Sequence, residues 1–235
     1  MSFKPLSTSQ LKQLAKYDTP TICNALEIVA PHRRTNGFTY EQLFCLRPDK
    51  RMVGYARTAT QRAMEPGALK GAAARKQRFA YFDYVGEDKF PKISVVQDLD
   101  PIKGYGAFWG EVNSNIHKAL GCAGCITDGS IRDLDDIADG FQMLAGVVGP
   151  SHAWTHLVDY NIQVNVAGMV VGHNDLIHAD RHGAVVIPHD VAEIVVSKGV
   201  DFMIRREKVI LDVVKGKNFT IQKLKDAMGK ADEIH

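Results

Sequence analysis

Apolar positions recur with helical spacing at both ends of the chain and with strand-like spacing between them. From about Ser7 to Ala30, Leu11, Leu14, Ile22, Leu26 and Ile28 mark a helical arm that Ser7 or Ser9 can cap. Thr19-Pro20 divides that arm into two short helices. Arg51–Arg62 alternates like a strand, with Gly54 as a bulge candidate, and Lys92–Asp98 reads as a second strand. Gly104–Phe108 leads into a Trp109-Gly110 turn, Glu111–Leu120 reads as a helix, and Cys122–Thr127 as a buried strand. Past an Asp128-Gly129 turn, Ile131–Asp139 reads as a short helix with acidic residues at its start, where the macrodipole favours them. Val147–Pro188 is strand-rich, with turns at Gly168, Gly172 and Gly183. A long helical region then runs from Pro188 to about Val214 on Val191, Ile194, Val195, Phe202 and Ile210, interrupted near Gly199, and a last helix spans Ile221–Met228. No linker, repeat or low-complexity segment divides the chain. The pattern predicts one α/β domain over residues 1–235, with an N-terminal helical arm (about 7–30) and a C-terminal helical tail (about 188–229).

At 235 residues the chain is long enough for a sizeable core. A net charge of +2, with Lys and Arg scattered, gives no drive toward nucleic acid or an anionic membrane. The densest basic patch, Arg205–Arg206 with Lys208, fits a solvated helix face. The opening M-S-F-K-P-L-S-T-S-Q lacks a signal-peptide core, and no apolar run reaches membrane-spanning length. Four cysteines do not suggest a disulfide framework, so a cytoplasmic, reducing location is expected.

The chemistry concentrates between Trp109 and Asp136. Glu111 is followed, after one helix-and-strand excursion, by Arg132-Asp133, so the chain can return to its starting point and bring the three together. Two carboxylates and a guanidinium suit a divalent cation and an anionic substrate. On spacing alone, an Asp at a helix start also serves as a cap. Other signals are weaker. Cys122 and Cys125 form C-x-x-C inside a buried strand without a second pair, so small-residue packing is expected rather than zinc or redox use. H-A-W-T-H (His152, His156) lacks the Glu of a metalloprotease motif. His178 and His182 flank Asp180 in a structural or surface role, and Gly104, Gly106 and Gly110 make no dinucleotide fingerprint.

Gly121, Gly124, Asp128, Gly129, Arg132 and Asp133 fall in a G-x-x-G-x-x-x-D-G-x-x-R-D pattern. It resembles the signature of the RraA-like family, which includes divalent-metal 4-hydroxy-4-methyl-2-oxoglutarate aldolases. T-P-T-I-C-N-A-L-E, M-V-G-Y-A-R-T-A-T and N-V-A-G-M-V-V-G-H-N-D-L-I-H-A-D-R-H-G-A-V-V-I-P extend the resemblance over nearly the whole chain. It implies a swivelling β/β/α domain assembled as a homotrimer or homohexamer. It also implies Mg2+ or Mn2+ on Asp133, with Glu111 holding the metal through water, and Arg132 polarising the keto oxygen of a pyruvate-like unit. Backbone N–H groups of Val112 and Asn113 would grip the substrate carboxylate, as a helix N-terminus can. A further acidic ligand, Glu207, would come from a neighbouring subunit. The implied reaction is cleavage of a 4-hydroxy-2-oxo acid to pyruvate, with oxaloacetate decarboxylation as a side activity. A water on the metal, held by Glu111, is the expected base, because arginine stays protonated. The basic residue that family members can place after the signature has no counterpart here, where G-P-S-H-A-W-T-H stands instead. Some family members are regulators that bind and inhibit an RNA-degrading endonuclease. That is the alternative reading, and the joint presence of Glu111, Arg132 and Asp133 favours the enzyme.

Overall fold

The computed structural model describes residues 4–234. Met1–Phe3, the first part of the opening segment read above, and His235 lie outside them. Ser7 caps α1 (Thr8–Leu14) in a reciprocal box with Gln10, and Asp18 caps α2 (Thr19–Val29), whose first turn accommodates Pro20. The centre of the chain comprises β1 (Phe44–Cys45), β2 (Met52–Arg62), α3 (Gly71–Gly86), β3 (Lys92–Asp98), β4 (Ala107–Trp109), α4 (Glu111–Ala119), β5 (Cys122–Ile131) and β6 (Gln142–Val148). It is followed by β7 (His156–Tyr160), β8 (Val164–Val166), β9 (Met169–Val171), β10 (Leu176–Asp180) and β11 (Gly183–Ile187). The tail holds α5 (Ala192–Ile194), a π-helical turn (Val195–Gly199), α6 (Val200–Val214) and α7 (Ile221–Asp232).

The main sheet has nine strands along the path β1-β6-β5-β3-β2-β10-β11, with β4 added to β5 and β7 added to β2. The central run β2-β3-β5-β6 is parallel, and β1, β7, β10 and β11 join it antiparallel. Parallel strands need crossovers, which α3 and α4 supply, and they are buried on both faces. In β2, Val53, Tyr55 and Ala59 face one side and Met52 and Ala56 the other. The first face carries the terminal helices through Leu14, Ile22, Leu26 and Val195, and α3 through Tyr81, Tyr84 and Val85. The opposite face is covered by the β8–β9 hairpin, with Val164, Val166 and Met169 on Ile93, Val95 and Ile126. Among the described residues no helix is long and apolar enough to cross a membrane.

Several sequence expectations are corrected. Asp128-Gly129 is no turn: β5 continues through it to Ile131, with a register shift against β6 between Thr127 and Ser130. Ile131–Asp139 is not a helix. Ile131 belongs to β5, and Arg132–Gly140 is a turn-rich loop pinned by buried Ile137 and Ala138. Four Asp in seven residues before Gly140 give that segment poor helix propensity. The irregularity in β2 lies at Thr60/Gln61 against β7 instead of at Gly54. Gly54 serves close approach, since a Cβ there would meet the Pro91 carbonyl oxygen at 2.8 Å. The interruption at Gly199 is a π turn that lets the helix pack against Ala25 and Val29 of α2. Helix α3 was not anticipated, β7 falls inside the strand-rich stretch expected over Val147–Pro188, and α7 extends past Met228 to Asp232.

Candidate active site

The site forms where β4 enters α4 and β5 runs out. Trp109 is fully buried, Gly110 follows in extended backbone, and α4 begins at Glu111 with no side chain capping its N-terminus. The Arg132 N–H donates to the Trp109 carbonyl at 3.0 Å, which ties the end of β5 to the end of β4. Asp133 then takes a left-handed backbone conformation (φ 54°), one that Asp tolerates, and turns the chain back. Its Oδ2 accepts the Glu111 N–H at 3.2 Å and lies 3.6 Å from Arg132 Nε. Its Oδ1 has no partner among the described residues. Gly110 makes room for this arrangement, because a Cβ there would stand 2.5 Å from Asp133 Oδ2.

Arg132, Asp133, Val112 and Asn113 line one cleft of about 220 Å3 together with His152 and Thr155. The excursion expected from the sequence therefore closes. Glu111 stands exposed at the head of α4, and its main-chain N–H, rather than its carboxylate, is what reaches Asp133. Glu207 is not brought to this cleft within the chain. It lies on α6, bonded at 3.4 Å to Asn24, in a separate cleft between α2, α6 and α7. Thr155 was missed in the sequence, where nothing marks it out. Its hydroxyl donates to Gln61 Oε1 at 3.1 Å, which holds the loop before β7 against β2.

A buried polar chain fixes the start of α4. The Asn113 side chain donates to the Phe108 carbonyl, and the Asn113 carbonyl lies 2.7 Å from His117 Nδ1. A carbonyl only accepts, so Nδ1 carries the proton. Burial lowers the His117 pKa to about 4, so the ring is neutral and Nε2 accepts from the Tyr81 hydroxyl at 2.8 Å. Tyr81 in turn accepts from Ser94 at 3.3 Å. Ser114 Oγ donates to the Glu111 carbonyl at 2.7 Å and accepts the Ala138 N–H at 3.0 Å, which binds the loop after Asp133 to α4.

Asp128 of the signature is buried and structural. Its Oδ1 accepts the Asp98 N–H at 2.7 Å and its Oδ2 pairs with Lys103, while Asp98 Oδ2 accepts the Gly104 N–H at 2.8 Å. These bonds anchor the loop that leads into β4. Desolvation pushes the Asp98 carboxyl above its ordinary value. Burial likewise raises the Cys122 thiol to about 12 and Cys125 well above its usual range, so both stay protonated thiols packed within β5. The Thr19 hydroxyl bonds His178 Nδ1 at 3.0 Å, and Asp180 accepts the Thr19 N–H at 2.9 Å and His182 Nδ1 at 3.0 Å. That cluster joins α2 to the β10–β11 hairpin.

Among the described residues no three His, Cys, Asp or Glu side chains converge as a complete metal cage. The cleft itself offers one carboxylate, Asp133, held by its neighbours with a free oxygen, and Glu111 stands exposed at the adjoining helix start, outside the cleft lining. That donor set fits a cation such as Mg2+, which keeps several waters beside one or two carboxylates.

The fold and cleft define a mixed α/β protein with a curled sheet, helices at both termini, and a cleft that brings an arginine beside an uncapped helix start at the edge of a parallel β-α-β crossover. The RraA-like family profile, described as aldolase/RraA, matches residues 19–186, and the chain belongs to this family. The family includes both aldolases and inhibitors of RNase E. An uncharacterized protein of Methanocaldococcus jannaschii is 26% identical over 152 residues, covering 64% of this chain and 66% of that protein. A crystal structure of an uncharacterized protein from Pseudomonas syringae pv. tomato superposes with a TM-score of 0.72 at 20% identity, covering 98% of this chain and 97% of that one. Streptomyces coelicolor RraAS2, described as an unusual member of the RNase ES inhibitor RraA family, superposes with a TM-score of 0.67 at 21% identity over 88% of this chain and 98% of its own. At these identities the structural likenesses establish the fold.

Proposed function

We propose that this protein is a divalent-metal-dependent lyase that cleaves a 4-hydroxy-2-oxo acid and releases pyruvate, with oxaloacetate decarboxylation as a side activity. The observation that carries this reading is the convergence of Arg132, Asp133 and the uncapped start of α4 on one cleft. The N–H groups of Val112 and Asn113 suit the substrate carboxylate, with the helix dipole behind them. Arg132, half-exposed in the cleft, suits the keto oxygen and stays cationic as negative charge develops there. Mg2+ or Mn2+ on Asp133 would supply Lewis-acid stabilisation of the same charge. As the C3–C4 bond breaks, its electron pair enters the enolate. The 4-hydroxyl proton passes to water held by Glu111, and protonation at C3 completes pyruvate. Oxaloacetate yields the same enolate by losing carbon dioxide.

The endonuclease-inhibitor reading has the S. coelicolor relative in its favour, but such a binder has no need of this cleft. The deciding experiment is pyruvate release from 4-hydroxy-4-methyl-2-oxoglutarate and from oxaloacetate, with Mg2+ and with EDTA, for wild type and Asp133→Ala. Turnover that needs metal and falls by about 100-fold or more in the variant is expected, given the typical weight of such groups. Folded protein inert toward both substrates sinks the lyase and favours the inhibitor.

A further inference from the structure

The cleft does not end at Arg132. Phe108, Asn113 and Thr155 line both it and a second cavity of about 460 Å3 between α3 and β7. The walls of this second cavity are mostly apolar: Leu69, Ala74 and Phe82 on one side, Leu157 and Val158 on the other, with Phe108 at the junction. Its polar groups are largely committed elsewhere. The Gln77 amide donates to the Val158 carbonyl at 2.9 Å, His156 Nδ1 bonds the Trp154 carbonyl at 2.8 Å, and the Tyr81 hydroxyl is held by His117. Arg78 is exposed. A second carboxylate placed among these walls would meet one uncommitted cation, the exposed Arg78, and would otherwise lose hydration without buried donors to replace it. An apolar ring loses nothing there, and an apolar cavity of only about 150 Å3 is known to admit benzene.

We infer that the substrate carries an aryl or similarly sized apolar group on C4, in place of a second carboxylate. The inference rests on the lyase reading above for which end of the substrate sits at Arg132. The reaction balances without a further reactant. The 4-hydroxyl hydrogen leaves as a proton, the C3–C4 pair forms the enolate, and the products are pyruvate and an aryl aldehyde or ketone.

The test separates the two readings. Titration calorimetry with Mg2+ compares 2-oxo-4-phenylbutanoate, which lacks the 4-hydroxyl and cannot be cleaved, with 2-oxoglutarate. The phenyl compound is expected to bind at least about tenfold more tightly. Ala74→Trp, which fills the cavity, and Leu69→Asp, at an exposed wall position, are each expected to erase most of that preference. Both should leave oxaloacetate decarboxylation unchanged, since that substrate does not reach the cavity. Equal or tighter binding of 2-oxoglutarate, or a phenyl preference that survives both variants, overturns the inference. Absence of oxaloacetate turnover in wild type counts against the lyase reading alone, and the binding comparison still decides the cavity.

Discussion

Gly110 has an extended backbone that any residue adopts, so its missing side chain matters only for what stands opposite. That is Asp133 Oδ2, 2.5 Å from the position of a Cβ, at the end of a side chain that can move. Gly110→Ala should therefore displace the carboxylate and spare the fold. Turnover is expected to fall roughly 100-fold, as ångström-scale misplacements do, with Tm almost unchanged. Full activity in this variant would show that the observed carboxylate position is not the working one. His117 makes a different kind of prediction. Its pKa is about 4 in the folded chain against an ordinary 6.5. Between those values the unfolded chain binds a proton that the folded one refuses, so stability is full above 6.5 and is lost as pH falls toward 4. Urea denaturation from pH 7 to 4 should show this loss flattened in His117→Gln by up to about 1.4 kcal/mol per pH unit. An identical slope in both proteins would mean that the ring is not held neutral. At this scale the pairing of Arg132 and Asp133 near the start of α4 could be expected from the sequence. The dependence of Asp133 on Gly110, and of Asn113 on a neutral His117, could not, because both are relations across the fold.

Among elements, the excursion α4–β5 was legible because the apolar period changes from helical to strand-like at Cys122. What misled was Asp128-Gly129, a pair that reads as a turn by composition. The bulge there buries Asp128 as an acceptor for the β3 end, so a turn signal is spent inside a strand. Helix α3 escaped notice for the opposite reason: its Ala, Arg, Lys and Gln favour helix, but only Tyr81, Tyr84 and Val85 are fully buried, and they form no long stripe. The pairing of β5 with β6 offers a contrast to Gly110. A Cβ on Gly124 would lie 2.2 Å from the Gln142 carbonyl oxygen, which is backbone and cannot swing aside. Gly124→Ala should separate β5 from β6 and cost about 1–3 kcal/mol, a fall in Tm of several degrees. A Tm equal to wild type would show that the two strands have more freedom than their spacing implies.

For the whole molecule, the question is whether a metal in this cleft would take its remaining ligands from water alone or also from a neighbouring copy. Asp133 contributes one free oxygen and Glu111 a carboxylate at the helix start, and no third acidic group converges within the described chain. Helix α6 packs on α2 and α7, outside the family-matched region, and its Glu207 meets only a long bond from Asn24. We propose that Glu207 completes the site of a neighbouring copy, so that each site draws Asp133 from one subunit and Glu207 from another. Asp133→Ala and Glu207→Ala proteins would then each be inactive alone while folding normally. Mixed under conditions that exchange subunits, they should recover about a quarter of wild-type turnover, the fraction of sites in a randomly assembled ring that receive both intact residues. Recovery would also require an oligomer in solution, measurable on the same samples by light scattering. If Glu207→Ala alone keeps full activity, or the mixture stays inert although subunits exchange, the site is completed within one chain and water supplies the remaining ligands.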